Sequence, residues 1–239
     1  MECLEIPIPT QDSLSAIIVA GGSGNRMQSS IPKQFLPLQG KPIVQWSLEC
    51  FDNLQIVDRL VLVLPKDWIN EGKTRLSGFN PQKPFDIVSG GLRRQDSVLF
   101  GLEALNEENK WVAIHDGARP GILPSLVETA FLSARKNGNA VLAIPCPDTV
   151  VEETDQTISQ YLNRSRVFLI QTPQIFPSRL LIEAIHFANN AQVEGTDDSG
   201  LVSGLGVKIH LTKGSMQNLK ITTPDDLKMV ELFFPKSGL

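Results

Sequence analysis

Short apolar runs alternate with longer amphipathic stretches along most of the chain. Four runs rich in leucine and β-branched residues predict buried strands, at residues 16–20, 59–64, 111–115 and 140–144. The stretches between them have the spacing of helices that bury one face, at residues 42–51, 67–77, 95–106 and 124–137. This alternation predicts an α/β protein with a mostly parallel, doubly wound (Rossmann-like) sheet covered by helices on both faces.

The alternation breaks between residues 145 and 173, where the chain looks extended. Segments at residues 148–153, 157–162 and 167–171, separated by polar turns, predict a β-arm over residues 146–171 that projects from the sheet. A homodimer would bury the apolar side chains of such an arm, and an excursion packed on its own domain is the alternative. Further along, we predict a helix at 178–189, a strand at 207–212, and a closing helix at 224–234 with Thr223 as N-cap and Pro224 at its first position.

The composition is that of one globular domain. The chain has 239 residues, 41% of them hydrophobic, and we read residues 1–13 as a short leader and 14–239 as a single domain. No stretch approaches the roughly 20 apolar residues that span a bilayer. The net charge of −4 argues against nucleic acid as a partner. Cys3, Cys50 and Cys146 fit neither a disulfide framework nor a metal site, which favours a cytoplasmic protein.

A glycine-rich loop with two cations follows the first predicted strand. The loop consists of Ala20, Gly21, Gly22, Ser23 and Gly24, and Arg26 and Lys33 come after it. Glycines let backbone amides approach a triphosphate, and the cations can neutralise charge at an attacked phosphorus. The spacing fits neither the dinucleotide fingerprint, because Met27 stands at its third glycine, nor a Walker A loop. A plain tight turn is the alternative to a site for chemistry on a nucleotide.

Two further polar clusters follow predicted strands. In the first, a glycine pair precedes Arg94 and Ser97, which suits a nucleotide, with solvated surface arginines as the alternative. In the second, the carboxylate of Asp116 could accept polyol hydroxyls or help position Mg²⁺, and Arg119 could pair with a phosphate, with a local ion pair between them as the alternative. We read His115 as structural. Because parallel strands end at one edge of a sheet, we expect both clusters to converge with the glycine loop.

Taken in order, these motifs resemble the 2-C-methyl-D-erythritol 4-phosphate cytidylyltransferases, a family of nucleotidyltransferases. The resemblance runs from about residue 15 to residue 234 and rests on A-G-G-S-G-N-R-M, P-K-Q-F, S-G-G-x-x-R-x-D-S, H-D-G-A-R-P, D-T-V, T-P-Q, T-D-D and N-L-K-I-T-T-P-D-D-L. It implies transfer of a cytidylyl group from CTP to a polyol phosphate, with release of pyrophosphate, in non-mevalonate isoprenoid precursor synthesis. It also implies Mg²⁺ held mainly by the CTP phosphates, with no protein metal site.

The resemblance implies roles for particular residues. Catalytic roles fall on Arg26, Lys33 and Lys220, and nucleotide contacts on Ala20, Gly21, Gly22, Ser23, Gly24, Gly91, Arg94 and Ser97. Contacts to the polyol phosphate fall on Asp116, Arg119, Thr149, Arg164, Thr172 and Thr196. In this family Thr149 and Arg164 would reach from the arm into the neighbouring subunit's site. A homodimer would then be a condition for activity.

Two departures and three alternatives qualify the resemblance. Leu92 stands where polar or acidic residues are common, and Thr196-Asp197-Asp198-Ser199-Gly200 replaces a commoner T-D-E-A-S or T-D-D-A-S run. Ribitol-5-phosphate cytidylyltransferase is the nearest alternative, because it shares P-K-Q-F-L-P-L, P-K-D-W and K-I-T-T-P, but H-D-G-A-R-P favours the methylerythritol enzymes. A non-catalytic nucleotide-binding module is disfavoured by the three cations, and a dehydrogenase by the glycine spacing.

Overall fold

A computed structural model describes Pro9 and residues 12–22, 31–105 and 110–234. Its strands are β1 (Leu14–Val19), β2 (Pro37–Leu38), β3 (Lys41–Pro42), β4 (Val57–Leu64), β5 (Phe85–Ser89), β6 (Trp111–Asp116), β7 (Ala140–Pro145), β8 (Val151–Thr154), β9 (Thr157–Tyr161), β10 (Phe168–Pro177) and β11 (Leu211–Lys213). Its α-helices are α1 (Ile43–Asp52), α2 (Ile69–Arg75), α3 (Arg94–Leu105), α4 (Pro124–Asn137), α5 (Ser178–Asn190), α6 (Asp198–Gly204) and α7 (Pro224–Glu231). Most of the predicted leader lies outside the described residues.

Seven strands form the central sheet, in the order β11-β7-β10-β6-β1-β4-β5. Neighbours pair in parallel except around β10, which runs antiparallel to both β6 and β7. The central strands β1 and β6 are buried almost throughout, because helices cover both faces of the sheet, and this explains their uninterrupted apolar runs. The predicted mostly parallel α/β fold is confirmed.

Two apolar layers hold the helices against the sheet. On one face, α1 and α4 contribute Val44, Leu48, Phe51, Val127 and Phe131 to the core. On the other face, α3, α5 and α6 contribute Val98, Leu102, Leu181, Ile185 and Leu201. A smaller cluster of Leu38, Ile43, Ile221 and Val230 packs α7 against the β2–β3 hairpin and the start of α1. The strands therefore lie between two apolar layers, as expected for a mostly parallel sheet.

Helix boundaries follow the expected signals in α4 and α7. Helix α4 spans the predicted residues, begins at Pro124 and ends before Gly138, whose φ of 85° is the left-handed conformation that favours glycine. The Thr223 hydroxyl caps α7 by accepting from Asp226 N, and the Asp226 carboxylate accepts from Thr223 N, which completes a capping box. The helix ends at Glu231, three residues earlier than expected. Helix α2 is shorter than expected at both ends, since residues Lys66–Trp68 form a 3₁₀ turn before it and it ends at Arg75.

The predicted arm divides into two parts. Strands β8 and β9 pair only with each other, as an antiparallel hairpin whose side chains are exposed. The third extended segment differs from the expectation, because Phe168, Leu169 and Ile170 pair with β7 and begin the long strand β10 of the central sheet. The apolar run continues through Pro177, and its backbone groups bond first to β7 and then to β6.

Three other features of the fold bear on the site. Helix α6 was not predicted, and Asp197 caps it by accepting a hydrogen bond from the backbone of Gly200. The strand expected at residues 207–212 begins later and ends one residue later, as Leu211–Lys213, which pairs with β7. Within the described ranges, no helix has the length and apolar composition needed to cross a membrane.

Candidate active site

The ends of three parallel strands converge at one edge of the sheet. Backbone hydrogen bonds continue past the strands, from Ala20 N to Val63 O at 2.9 Å, from Gly90 N to Leu64 O at 2.7 Å, and from Gly117 N to Val19 O at 2.9 Å. They tie together the loop after β1, the loop after β5 and the turn after β6. The expected convergence of the glycine loop with the two polar clusters is therefore observed for the residues that the structure describes. Ser23, Gly24 and Arg26 lie outside them.

Ser97 of α3 joins the two glycine loops. Its Oγ accepts a hydrogen bond from Gly91 N at 3.1 Å. A Cβ atom at Gly90 would lie 2.7 Å from this oxygen, and one at Gly21 would lie 3.3 Å from it. A side chain at Gly90 would have to displace the Ser97 hydroxyl, and one at Gly21 would crowd it. Ser97 therefore fills the space between the two loops.

A first cavity, of about 510 Å³, opens between these loops. It is lined by every described residue that was expected to contact the nucleotide or act in catalysis, namely Ala20, Gly21, Gly22, Lys33, Gly91, Arg94, Ser97 and Lys220. Lys33 Nζ donates to the carbonyl oxygen of Ile221 at 2.8 Å, which joins the segment after β1 to the one before α7. Leu92, the departure noted in the sequence, is fully exposed at the cavity edge.

A second cavity, also of about 510 Å³, adjoins the first. Arg119, Thr172 and Thr196 line it, and all three were expected to contact the polyol phosphate. Arg94, Asp116 and Lys220 line both cavities. The residues expected to bind the two substrates therefore lie on two sides of one charged junction.

Asp116 is the centre of that junction. Its Oδ2 lies 2.9 Å from Lys220 Nζ and 3.4 Å from Arg119 Nε, and its Oδ1 lies 3.7 Å from Arg94 Nη2. Burial alone would raise the pKa of the Asp116 carboxyl, but Lys220, Arg94 and Arg119 together hold this pKa well below its usual range. Asp116 is therefore an ionised acceptor at neutral pH. Its pairing with Arg119, one of the alternatives from the sequence, is present as one of three ion pairs.

Two buried residues of the site had not been singled out from the sequence. Asp198, at the start of α6, accepts a hydrogen bond from Arg94 Nη2 at 2.8 Å, and Asn218 accepts one at its main-chain oxygen from Arg119 Nη1 at 2.8 Å. Burial lowers the pKa of the Arg94 guanidinium, but Asp198 and Asp116 outweigh this effect and raise it. Asp198 falls inside the T-D-D motif and Asn218 inside the N-L-K motif, and these motifs were the only signal in the sequence that could have revealed them.

Two expected residues lie away from this junction. Thr149 and Arg164 are exposed and line neither of the two cavities. Arg164 Nη1 instead donates to the carbonyl oxygen of Pro147 at 3.3 Å, on its own arm. A single chain therefore brings together only part of the expected set.

Neither a metal-binding cluster nor a reactive thiol is found among the described residues. In the ranges that the structure covers, no group of three or more histidine, cysteine, aspartate or glutamate side chains is placed to hold a metal ion. The Cys50 and Cys146 thiols are free, and burial raises the pKa of Cys50 to about 12. The thiol of Cys50 is therefore protonated and unreactive at neutral pH.

Similarity to known proteins decides the family of this site. Residues 14–236 match the family model of 2-C-methyl-D-erythritol 4-phosphate cytidylyltransferase (IspD). The chain belongs to this family. It is therefore a cytidylyltransferase, an enzyme of the nucleotidyltransferase class, as the motifs implied.

Relatives and solved structures agree with this assignment. The 2-C-methyl-D-erythritol 4-phosphate cytidylyltransferase of Syntrophus aciditrophicus is 40% identical over 223 residues, covering 92% of this chain and 95% of that protein. The one from Caldanaerobacter subterraneus subsp. tengcongensis is 37% identical over 226 residues, covering 94% of this chain and all of that protein. The crystal structure of the Thermus thermophilus enzyme has a TM-score of 0.75 and 31% identity, covering 92% of this chain and 98% of that one.

Proposed function

We propose that this cytidylyltransferase transfers the cytidylyl group of CTP to the phosphate of 2-C-methyl-D-erythritol 4-phosphate and releases pyrophosphate. The observation that carries the proposal is the junction of Arg94, Asp116 and Lys220, which lines two adjoining cavities of about 510 Å³ each. A reaction that joins two phosphorylated substrates needs two neighbouring sites with cations at their boundary. Membership of the family supplies the identity of the substrates.

CTP is assigned to the first cavity. Glycine loops after two strands border it, and backbone groups there can come close to phosphates because no side chains intervene. Lys33 and Lys220 line the same cavity and can offset negative charge on the triphosphate. Arg26, which precedes the described segment at residue 31, is proposed as a third cation at the α-phosphate on the strength of the family motif alone.

The polyol phosphate is assigned to the second cavity. Arg119 can pair with its phosphate, and the ionised carboxylate of Asp116 can accept hydrogen bonds from its hydroxyls. Thr196 lines the same cavity and offers a hydroxyl. The two substrates would then meet beside Lys220.

The chemical step requires positioning and charge neutralisation more than proton transfer. An oxygen of the polyol phosphate attacks the α-phosphorus of CTP, the new O–P bond forms, and the bond to the β-phosphate oxygen breaks to release pyrophosphate. A phosphate monoester is already anionic near neutral pH, since its second pKa is about 6. No general base is required, and the cations stabilise the additional charge on the equatorial oxygens.

We propose that Mg²⁺ reaches the site on the nucleotide. The carboxylate of Asp116 is already engaged by three cations, so a site carried mainly by the triphosphate fits these residues better than a protein cage. When bound, Mg²⁺ supplies further neutralisation of phosphate charge. Lys33 and Lys220 would complement it from the protein side.

We further propose a homodimer formed through the arm. The β8–β9 hairpin exposes Ile158 and Tyr161, at 53% and 67% of their surface, and these apolar side chains favour burial against a second copy. Thr149 and Arg164 lie on this arm and would complete the second cavity of the other subunit. A cytoplasmic location is proposed from the cysteine pattern of the sequence.

Pyrophosphate release with purified protein, CTP and Mg²⁺ tests the proposal. We expect turnover with 2-C-methyl-D-erythritol 4-phosphate and a lower kcat/KM with ribitol 5-phosphate, because the pocket around the methyl branch decides the substrate. Faster turnover with ribitol 5-phosphate would transfer the assignment to that substrate. Binding of CTP without pyrophosphate release for either polyol phosphate would indicate a binding module.

Size-exclusion chromatography with light scattering tests the homodimer separately. We expect twice the chain mass of 26.3 kDa at micromolar protein concentration. An active monomer under the assay conditions would contradict both the dimer and the shared site. Ile158→Asp, on the exposed strand β9, is expected to shift the protein towards the monomer.

A further inference from the structure

A buried chain of hydrogen bonds runs behind the Asp116 turn. The backbone N–H of Asp116 donates to Thr172 Oγ1 at 3.0 Å. Thr172 Oγ1 lies 3.2 Å from His115 Nδ1, and His115 Nε2 lies 3.3 Å from the carbonyl oxygen of Arg119. His115 is fully buried and Thr172 is 3% exposed, so bulk water does not compete for these bonds.

The direction of each bond in this chain can be assigned. The carbonyl oxygen of Arg119 only accepts, so His115 Nε2 must carry the proton. In a neutral imidazole the other nitrogen, Nδ1, is then an acceptor, and the Thr172 hydroxyl must donate to it. Burial lowers the pKa of His115 to about 4, which keeps the ring neutral near pH 7. The single hydroxyl proton of Thr172 is therefore already used.

We propose that His115 is a positioning residue that directs the Thr172 hydroxyl and, through it, holds the main chain of Asp116 in place. Thr172 then serves the site by accepting the Asp116 N–H, and it has no proton left to donate to a phosphate. This assigns Thr172 a role different from the direct substrate contact that the family resemblance implied.

The sheet topology explains why a side chain is needed here. Strand β10 pairs with β6 only as far as Gln174 opposite Ile114, and on its other side its pairing with β7 shifts register between Ile170 and Gln174. Asp116 is the last residue of β6, two positions beyond Ile114. Its N–H donates to the Thr172 side chain and not to a backbone carbonyl of β10. His115 thus stabilises the point where regular pairing ends and the charged turn begins.

The same series of hydrogen bonds also reaches Arg119. The Arg119 carbonyl accepts from His115 Nε2 and, at 3.3 Å, from Ser47 Oγ of α1, while Arg119 N donates to the Asp116 carbonyl at 3.0 Å. Both ends of the Asp116–Arg119 turn are therefore held from inside the protein. Arg119 lines only the second cavity, so a loosened turn should affect the polyol phosphate more than CTP. That expectation rests on the proposed function.

The alternative is a histidine that only fills space. Its ring lies 5.2 Å from the ring of Phe51, centroid to centroid, so packing is part of its environment. A ring that only packs has no reason to hold one tautomer. The state of the ring therefore distinguishes the two readings.

Nitrogen NMR of His115 tests the proposal without any assay of activity. The chain has three histidines, so the His186→Gln/His210→Gln variant leaves His115 as the single signal. We expect a neutral ring protonated at Nε2 throughout roughly pH 5 to 8. A proton on Nδ1, or titration of the ring within that range, would overturn the assignment. This measurement is made on folded protein with the native His115 and does not depend on the substrate.

Kinetics of a double-mutant cycle test the functional consequence. His115→Phe keeps a ring against Phe51 but removes both hydrogen bonds, and Thr172→Val keeps the shape but removes the hydroxyl. We expect each to raise the KM for the polyol phosphate by about tenfold, with a smaller change for CTP, because buried polar groups lose their partners. The double variant should be no worse than either single one, since both break the same chain. Thr172→Ser, which keeps the hydroxyl, should leave both KM values close to those of the wild type.

The outcomes separate the two proposals. Independent, additive losses in His115→Phe and Thr172→Val, or full activity in Thr172→Val, would overturn the positioning role. Absence of turnover in the unmodified protein would instead contradict the proposed function, and the NMR result would still decide the state of His115. His115→Asn, whose side-chain oxygen can still accept from Thr172, is expected to fall between the wild type and His115→Phe.

Discussion

The Asp116 junction and the β8–β9 arm carry the residues expected for the polyol phosphate in opposite ways. At the junction, Asp116 and Arg119 are buried and surrounded by hydrogen bonds and ion pairs from four segments of the chain. On the arm, Thr149 and Arg164 are exposed, and Arg164 Nη1 donates a long hydrogen bond of 3.3 Å to the Pro147 carbonyl of the same arm. At the junction, the charged groups find their partners within a single chain. The arm has polar and apolar groups whose proposed partners lie on a second copy.

The two regions differ in how firmly their side chains are held. Charged groups at the junction are held in position before any substrate binds, so binding there requires little reorganisation. Groups on the arm would gain fixed positions only after association, so their contribution depends on protein concentration. Changes at the junction should act at any concentration, whereas changes on the arm should act through the dimer.

The largest effect is expected from Lys33→Ala, at the edge of the first cavity. Its ammonium is proposed to stabilise charge at the attacked phosphorus, so we expect kcat to fall about 10² to 10³-fold. Lys33 Nζ also donates to the Ile221 carbonyl, so thermal unfolding should be measured in parallel. Lys66→Ala, at an exposed lysine of the 3₁₀ turn before α2, is the matched control and should leave kcat unchanged. An unchanged kcat for Lys33→Ala would make that residue only a structural cation.

The next effect is a dependence of stability on pH that arises from His115. Burial lowers its pKa to about 4 from 6.5, so between these values the unfolded chain binds a proton that the folded chain does not. Stability then rises with pH across this window and falls by up to about 3 kcal/mol as pH drops through it. Urea unfolding of the wild type and His115→Asn from about pH 4.5 to 7 measures the difference in slope.

The difference in slope between the two proteins isolates His115, which lies at the junction and not on the arm. The arm contains no histidine, since the three in the chain are His115, His186 and His210. Within the folded protein, the Asp116 carboxylate raises the pKa of His115, whereas Arg119 lowers it, so the net direction comes from burial. Equal slopes for the wild type and His115→Asn would show that the ring is not buried in a neutral state.

Much of the junction could be predicted from the sequence because parallel strands place their ends together. The glycine loop, Arg94 and Asp116 each follow an apolar run, and the structure brings their described parts to one sheet edge. Lys220 lies in a segment without regular structure, and only the motif around it indicated a role. Local periodicity predicts the strands and their order along the chain, but it does not predict which long side chains reach the same point.

The missed residues share a physical cause. Asp198 and Asn218 act through contacts with Arg94 and Arg119 about one hundred residues away, and such pairing leaves no local pattern. The third segment of the arm was misjudged for a similar reason. An extended run can pair at any available edge, and only the tertiary structure places Phe168–Pro177 between β7 and β6.

A smaller effect on activity is expected from Arg164→Ala on the arm. Loss of one charge-assisted hydrogen bond to a phosphate should lower kcat/KM for the polyol phosphate by about 10 to 100-fold. Folding should be unaffected because Arg164 is exposed. Arg179→Ala, which removes an exposed arginine of α5, is the matched control.

Mixing two variants shows whether Arg164 acts across the dimer. In a heterodimer of Arg164→Ala and Lys33→Ala, one site carries both changes and the other carries neither. An equal mixture with free exchange should therefore recover about a quarter of the wild-type sites. Recovery no greater than the sum of the separate variants, after exchange has been verified, would place Arg164 in the site of its own chain or outside any site.

The smallest effect is expected from Ser97→Ala, between the two glycine loops. Its Oγ holds Gly91 N at 3.1 Å, and one such hydrogen bond contributes about 1 kcal/mol, so KM for CTP should rise about fivefold. Ser97 lines the first cavity only, so KM for the polyol phosphate should not change. Ser125→Ala, an exposed position on α4, serves as control. Equal changes in both KM values would mean that the two cavities respond as one, because a shift of the glycine loops would then be reaching Asp116 through Arg94.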